Sequence, residues 1–285
     1  MRKLLLARLA VLALVVPATA CTGDLTGDQG TAGTPGPNGP FGSGGNGSYS
    51  GGGNPSGGSS VATMPPPPPT VIRRLSNAEY NNTTRDLLGD TTHPADAFLV
   101  DERRRGFDNI AEAQTTSPVR AEQYMLTGEK LTTQAITAAL AALPCAATGD
   151  AACAGQFIRA FGQKAYRRPL SETEVTRLLG VFNLGNGGGG FKHGVELVLR
   201  AMLISPSFLF RVEQGEAAAV AGLARPTAWE MASRLSYLLL GSMPDAQLFE
   251  AASQGALSTK EQVRAQAERL IADARAKTNI QHLHT

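Results

Sequence analysis

From residue 71 to the end of the 285-residue chain, apolar side chains return every three or four positions, the period of a helix with one buried face. In RRLSNAEYNNTTRDLLGD (73–90), Tyr80, Thr84, Leu87 and Leu88 recur at that spacing. Ser76 and Glu79 stand three apart, as a capping box requires, and Leu75 and Tyr80 are placed as a hydrophobic staple over it. Gly89 is the expected C-terminal cap. The same device predicts helix starts at Ser171 with Glu174, at Thr227 with Glu230, and at Ser258 with Glu261. Pro118 opens a long run whose buried side is expected to carry Met125, Ile136, Ala139 and Leu140. FIRAF (157–161) begins a short helix, GNGGGG (185–190) breaks the next pair apart, and a largely buried helix stops near Pro206. WEMASRLSYLLLG ends at Gly241. No convincing strand alternation appears, so the fold class is all-α: a multi-helix bundle body after a disordered Gly/Pro-rich linker.

That linker is a shift in composition. Residues 22–70 hold 15 of the 32 glycines and 9 of the 17 prolines, ending in PPPPP at 65–69. Such a stretch buries too little apolar surface to offset its ordering entropy. Its expected reach is about 35–40 Å. Before it, MRKLLLARLAVLALVVPATAC has a basic start, an apolar run from Leu4 to Val16 and small residues ahead of Cys21. This is the pattern of a secretory signal over residues 1–20, too short and wrongly flanked for a spanning helix. ATAC resembles a bacterial lipobox, which makes Cys21 the lipidation site; an ordinary signal peptide with a coincidental cysteine is the alternative. Thr22 follows the cysteine, and without an aspartate there the resemblance implies an outer-membrane or cell-surface address.

Charge narrows the partners. The 26 basic and 24 acidic side chains leave a net +2, too little to select nucleic acid. Two further cysteines, Cys145 and Cys153, are expected to form a disulfide after export, because CAATGDAAC offers only Asp150 as a neighbouring metal ligand.

With the helices placed, the longer motifs become comparable with families. RRLSNAEYNNTTRDLLGD and GFDNIAEAQTTSPVRAEQY, then FIRAFGQKAYRRPLSETEV through LISPSFLFRVE, then WEMASRLSYLLLGSMPDAQLFEAASQGALST follow one another in order. This series resembles a bacterial multi-module family of unknown function associated with planctomycete-type cytochromes, with DUF1587-, DUF1595- and DUF1592-like modules. The resemblance implies helical modules at 71–144, 145–215 and 216–285, the third incomplete. Many relatives carry a CxxCH haem site, and this sequence has none, so no cofactor is implied. The sequence stops inside an expected helix, so a C-terminally truncated product is the expectation.

Candidate chemistry gathers in two stretches. Asn81, Asn82, Arg85 and Asp86 fall on the polar side of the first helix. They suit either a face that reads sugar hydroxyls or an inter-module face closed by hydrogen bonds. In DERRRGFDN (101–109), Asp101, Glu102, Asp108 and Asn109 offer oxygen ligands for calcium, but the spacing is not that of an EF-hand and three arginines intervene, which favours ion pairs. Phe107 is expected to plug a core, and Arg167 and Arg168 to make buried ion pairs or a helix-terminus contact. His193, near the start of an apolar helix, has the placement of a non-covalent haem ligand, but a surface or helix-terminal histidine is the expected reading. His282 and His284 point about 200° apart on a helix and cannot share a metal there.

The expected function is that of a membrane-anchored lipoprotein acting as a binding or assembly module with a protein or polysaccharide partner. One alternative is a polysaccharide-binding accessory protein; another is a fragment of an extracytoplasmic redox enzyme lacking its cytochrome part. If Cys21 carries the anchor, Cys21→Ser moves the protein from the membrane to the soluble fraction. Retention of most of the protein with the membrane contradicts lipidation at that residue.

Overall fold

Side-chain oxygens start the helices, as the sequence requires. The computed structural model describes residues 72–104, 106–217 and 224–283. The signal segment, Cys21, the whole of the linker and His284 lie outside them, as do the side chains of His282 and Leu283. The described part is mostly helical, with α1 Asn77–Leu88, α2 Pro118–Ala141, α3 Ala151–Tyr166, α4 Glu172–Leu203, α5 Pro206–Leu209, α6 Ala228–Leu240, α7 Ala246–Ser253, α8 Lys260–Ile271 and α9 Ala274–Leu283.

Full capping boxes stand at Ser76–Glu79, Ser171–Glu174 and Thr227–Glu230, each contributing about 1 kcal/mol. The fourth falls one residue later than the spacing suggested. Thr259 and Gln262 form it, because Gln262 Oε1 accepts the backbone N–H groups of both Ser258 (3.0 Å) and Thr259 (3.1 Å). Ser117, Asp150 and Asp245 cap α2, α3 and α7. The cap at Asp150 starts α3 at Ala151, well before FIRAF, and makes it sixteen residues long.

Two short antiparallel pairs interrupt the helices. β1 (Arg73–Arg74) pairs with β2 (Phe210–Arg211), Arg73 opposite Arg211; β3 (Glu216–Ala217) pairs with β4 (Ala224–Arg225). At two residues each, no strand is long enough to show an alternating pattern. The first pair ties the start of the body to the end of α5, and Leu75 N–H extends it to Leu209 O at 2.9 Å.

Two apolar cores result. The larger takes Leu75 and Tyr80 of the staple with the inner faces of α2, α3 and α4, and its aromatic centre joins Tyr80, Phe98, Tyr124 and Phe208 at centroid distances of 5.2–5.9 Å. The smaller lies among α6, α7, α8 and α9. On α2 the buried stripe runs through Tyr124, Leu131 and Ala135, while Met125 is 54 % exposed. Of the expected face, Ile136 is buried and Ala139 and Leu140 pack against the core, so Met125 is the one member that points outward. Phe107 is likewise 45 % exposed and plugs no core. Cys145 and Cys153 form the expected disulfide, Cα atoms 5.6 Å apart, which ties the loop after α2 to the first turn of α3. A loop this short yields about 2.5 kcal/mol in the chain-entropy account.

The glycine run breaks α4 at a single residue. Gly190 has φ 77° and ψ −177°, while Gly185 to Gly189 remain helical. Beyond it the chain turns back, and Phe191 meets Phe182 edge-on at 5.5 Å. Glycine is required where the two arms touch. A Cβ on Gly185 would stand 2.8 Å from Gly194 Cα and 2.9 Å from the His193 carbonyl oxygen, and neither backbone atom can yield cheaply. Gly188 meets nothing within 4 Å. Gly185→Ala is therefore expected to destabilise by about 1–3 kcal/mol, and Gly188→Ala to stabilise by about 0.5–1 kcal/mol. Denaturant titration of the two variants checks both signs, and equal shifts would contradict the tight crossing.

Candidate functional site

Between the two cores runs a seam of polar contacts centred on Tyr237 of α6. This side chain is 3 % exposed and packs with the larger core although its helix carries the smaller one. Its hydroxyl meets Thr83 Oγ1 of α1 at 2.9 Å. The guanidinium groups of Arg167 and Arg211 stand 5.7 and 4.9 Å from its ring centroid. Around it, Asn82 Nδ2 donates to Gly241 O (3.2 Å), Ser242 Oγ to Asp86 Oδ2 (2.6 Å), and Arg275 Nη1 to the same carboxylate oxygen (3.3 Å). Asn82 and Asp86 on the polar side of α1 thus close an interface by hydrogen bonds.

A cleft of about 520 Å³ opens on one flank of the seam. Asn81, Asn82 and Arg85 of α1 line it together with Asp101 and Asp108, so two stretches picked out separately in the sequence converge on one concavity. His93, Asp96 and Arg103 complete that wall, and Arg275, Thr278 and Asn279 of α9 face it. Asn109 stays outside, where its carbonyl accepts from Arg73 Nη1 at 3.4 Å. Asn81 is held from both ends: Nδ2 donates to Asp96 Oδ1 (2.8 Å) and Oδ1 accepts Ala95 N–H (2.7 Å).

The floor of this cleft is ionic. Asp101, its side chain 7 % exposed, accepts from Arg74 Nη2 at 2.7 Å and Arg120 Nη2 at 3.4 Å, and also takes the N–H of Asn77 at the start of α1. Arg74 and Arg120 are 2 % and 4 % exposed, so two buried cations share one carboxylate, which also satisfies a helix terminus. Burial, and then the charge of Arg74, lower the pKa of Arg120. These contacts occupy Asp101 as an ion-pair partner and leave the calcium reading of 101–109 without its first ligand. Among the described residues, no three His, Cys, Asp or Glu side chains gather as a metal site needs.

A second cleft, of about 670 Å³, lies on the other flank and drew no attention in the sequence. Its walls come from 166–177, 207–215 and 227–233, stretches that only the folded chain brings together. Arg167 has φ 60° and caps α3; among the described residues no carboxylate pairs with it. Instead it donates to the carbonyls of Ala165 (3.1 Å), Ser207 (2.9 Å), Phe208 (3.1 Å) and Phe210 (2.8 Å), a helix-terminus contact of the kind expected. Arg168 pairs with Glu174 through two bonds of 2.8 and 2.9 Å, and this contact holds the Glu174 carboxyl down to about 2. Burial pushes the Glu230 pKa up, but the N–H groups of Gly215, Thr227 and Gln214 outweigh it and hold the group below its ordinary value. Depressed carboxylate values stabilise at neutral pH, and that stability fades as pH falls through the acid range. His193 lines neither cleft; it is 46 % exposed beside Glu196.

The Asp101 network carries a direct consequence. Asp101→Ala leaves two buried guanidinium groups without their shared counter-charge and is expected to destabilise by about 3–5 kcal/mol. Chemical denaturation measures this, and a loss below about 1 kcal/mol would show that the pairs are not buried as described.

Family models match three consecutive stretches of the chain, each described as a protein of unknown function: DUF1587 over residues 73–137, DUF1595 over 153–213 and DUF1592 over 227–285. No curated protein and no solved structure matches. The seam thus joins all three, since Thr83 lies in the first stretch, Arg167 and Arg211 in the second and Tyr237 in the third. With these modules in tandem and in this order, the chain belongs to the family of unknown function built from DUF1587, DUF1595 and DUF1592.

Proposed function

We propose that this chain is an exported binding protein, anchored at the outer membrane through Cys21, whose body takes a neutral polysaccharide segment in the cleft between α1 and α9. The observation that carries the reading is the convergence of Asn81, Asn82, Arg85, Asp101 and Asp108 on that cleft. Its charges balance, with Arg85, Arg103 and Arg275 set against Asp96, Asp101 and Asp108. A wall without net charge favours neither cation nor anion. Its amides and hydroxyl, at Asn77, Asn82, Thr278 and Asn279, both donate and accept, as sugar hydroxyls do.

No Phe, Tyr or Trp among the described residues lines this cleft, so recognition would rest on hydrogen bonds worth about 0.5–1.5 kcal/mol each. Single-site affinity is then modest. Many copies anchored on one membrane gain avidity for a polymer that a free domain lacks.

The test uses the full chain with Cys21→Ser, incubated with insoluble cellulose, chitin and xylan at moderate salt. Retention on at least one polymer is expected, together with a loss of about fivefold or more in Arg85→Ala/Thr278→Ala at unchanged melting temperature. No retention on any polymer, or retention indifferent to the double substitution, overturns the reading.

A further inference from the structure

The second cleft differs from the first in its charge balance. Four arginines line it, Arg167, Arg168, Arg177 and Arg211, against three carboxylates, Glu174, Glu213 and Glu230. Every one of those carboxylates is already engaged. Glu174 is taken by Arg168 and the Ser171 N–H, Glu213 by Arg234, and Glu230 by the N–H groups of Gln214, Gly215 and Thr227.

Two of the cations lack comparable partners. Arg177 is exposed, with no ion pair among the described residues. Arg211 is in the opposite situation, with a side chain only 12 % exposed. Its one ionic partner among the described residues is Glu213, at a long 3.5 Å, and that carboxylate is shared with Arg234. Its Nε is buried without a hydrogen bond. Burial, and then the nearby charge of Arg73, lower its pKa to about 10. A guanidinium in that position is stabilised by any anion that reaches it.

The same cleft carries ring surface. Trp229 lines it half-buried, with Tyr166 and Phe210, so a ligand with a flat apolar face finds a wall there. Phosphate would satisfy the arginines and leave the rings unused. A uronic acid uses both.

We propose that this second cleft binds an acidic sugar unit, its carboxylate held by Arg177 and Arg211 and its ring resting against Trp229. This goes beyond the neutral site between α1 and α9, and neither depends on the other.

Isothermal titration of the full chain with Cys21→Ser tests it, using a galacturonate trimer, the same trimer methyl-esterified, and inorganic phosphate. The free acid is expected to bind, and the ester to bind about tenfold more weakly or worse, since a charged hydrogen bond is lost. Arg177→Gln, an exposed change that leaves the fold intact, is expected to weaken the free acid by a similar factor and to leave retention on neutral polymers unaltered. Arg211→Lys keeps the buried charge but not the fork, and is expected to weaken the free acid as well. No binding of the free acid, equal binding of acid and ester, or indifference to Arg177→Gln overturns the proposal. Phosphate binding as tightly as the trimer overturns the sugar.

Discussion

Tyr237 is the point on which the arrangement of the three modules depends. It leaves the small core of its own helix and inserts into the large core of the other two modules. There its hydroxyl meets Thr83 and its ring lies beside two guanidinium groups. Each arginine–ring contact is worth about 0.5–2 kcal/mol, more where water is excluded. Arg167 can play this part because four carbonyls fix its head, and Arg211 because strand pairing with Arg73 fixes its backbone. The contact is preorganised from both sides.

Around that one apolar insertion the seam is polar, which explains where the clefts lie. Two apolar faces would close completely; a face of amides, hydroxyls and ion pairs leaves gaps where partners do not meet. One gap opens where α9 approaches α1, the other where the start of α6 approaches the end of α3. Their chemistry differs because their surroundings do. Asp101 serves as the shared counter-charge of the buried cations behind the first, whereas the carboxylates near the second are consumed by helix caps, by Arg168 and by Arg234.

Much of the architecture was legible in the sequence because its physics is local. A capping box acts across three residues, so Ser76–Glu79, Ser171–Glu174 and Thr227–Glu230 declared themselves, as did the αL glycines Gly89 and Gly241. The fourth box slipped by one because Ser258 and Thr259 are both competent caps and Gln262 serves both backbones. Periodicity identified α2 and the buried side of its second half, at Ile136, Ala139 and Leu140, but took Met125 for the adjacent Tyr124, a choice that only packing decides. Of the candidate site, Asn81, Asn82, Arg85, Asp101 and Asp108 were visible as polar groups with no apolar duty. The pairing of Asp101 with Arg74 and Arg120, 27 and 19 residues away, was not visible. Neither was the second cleft, whose walls share no local pattern.

Scanning calorimetry of the full chain with Cys21→Ser, with and without Tyr237→Ala, tests most directly whether this one side chain joins the modules. The account predicts a single cooperative transition for the parent and two for the substituted chain, with the α6–α9 unit separating from the rest. Two transitions already in the parent, or one undivided transition after the tyrosine is removed, would contradict it.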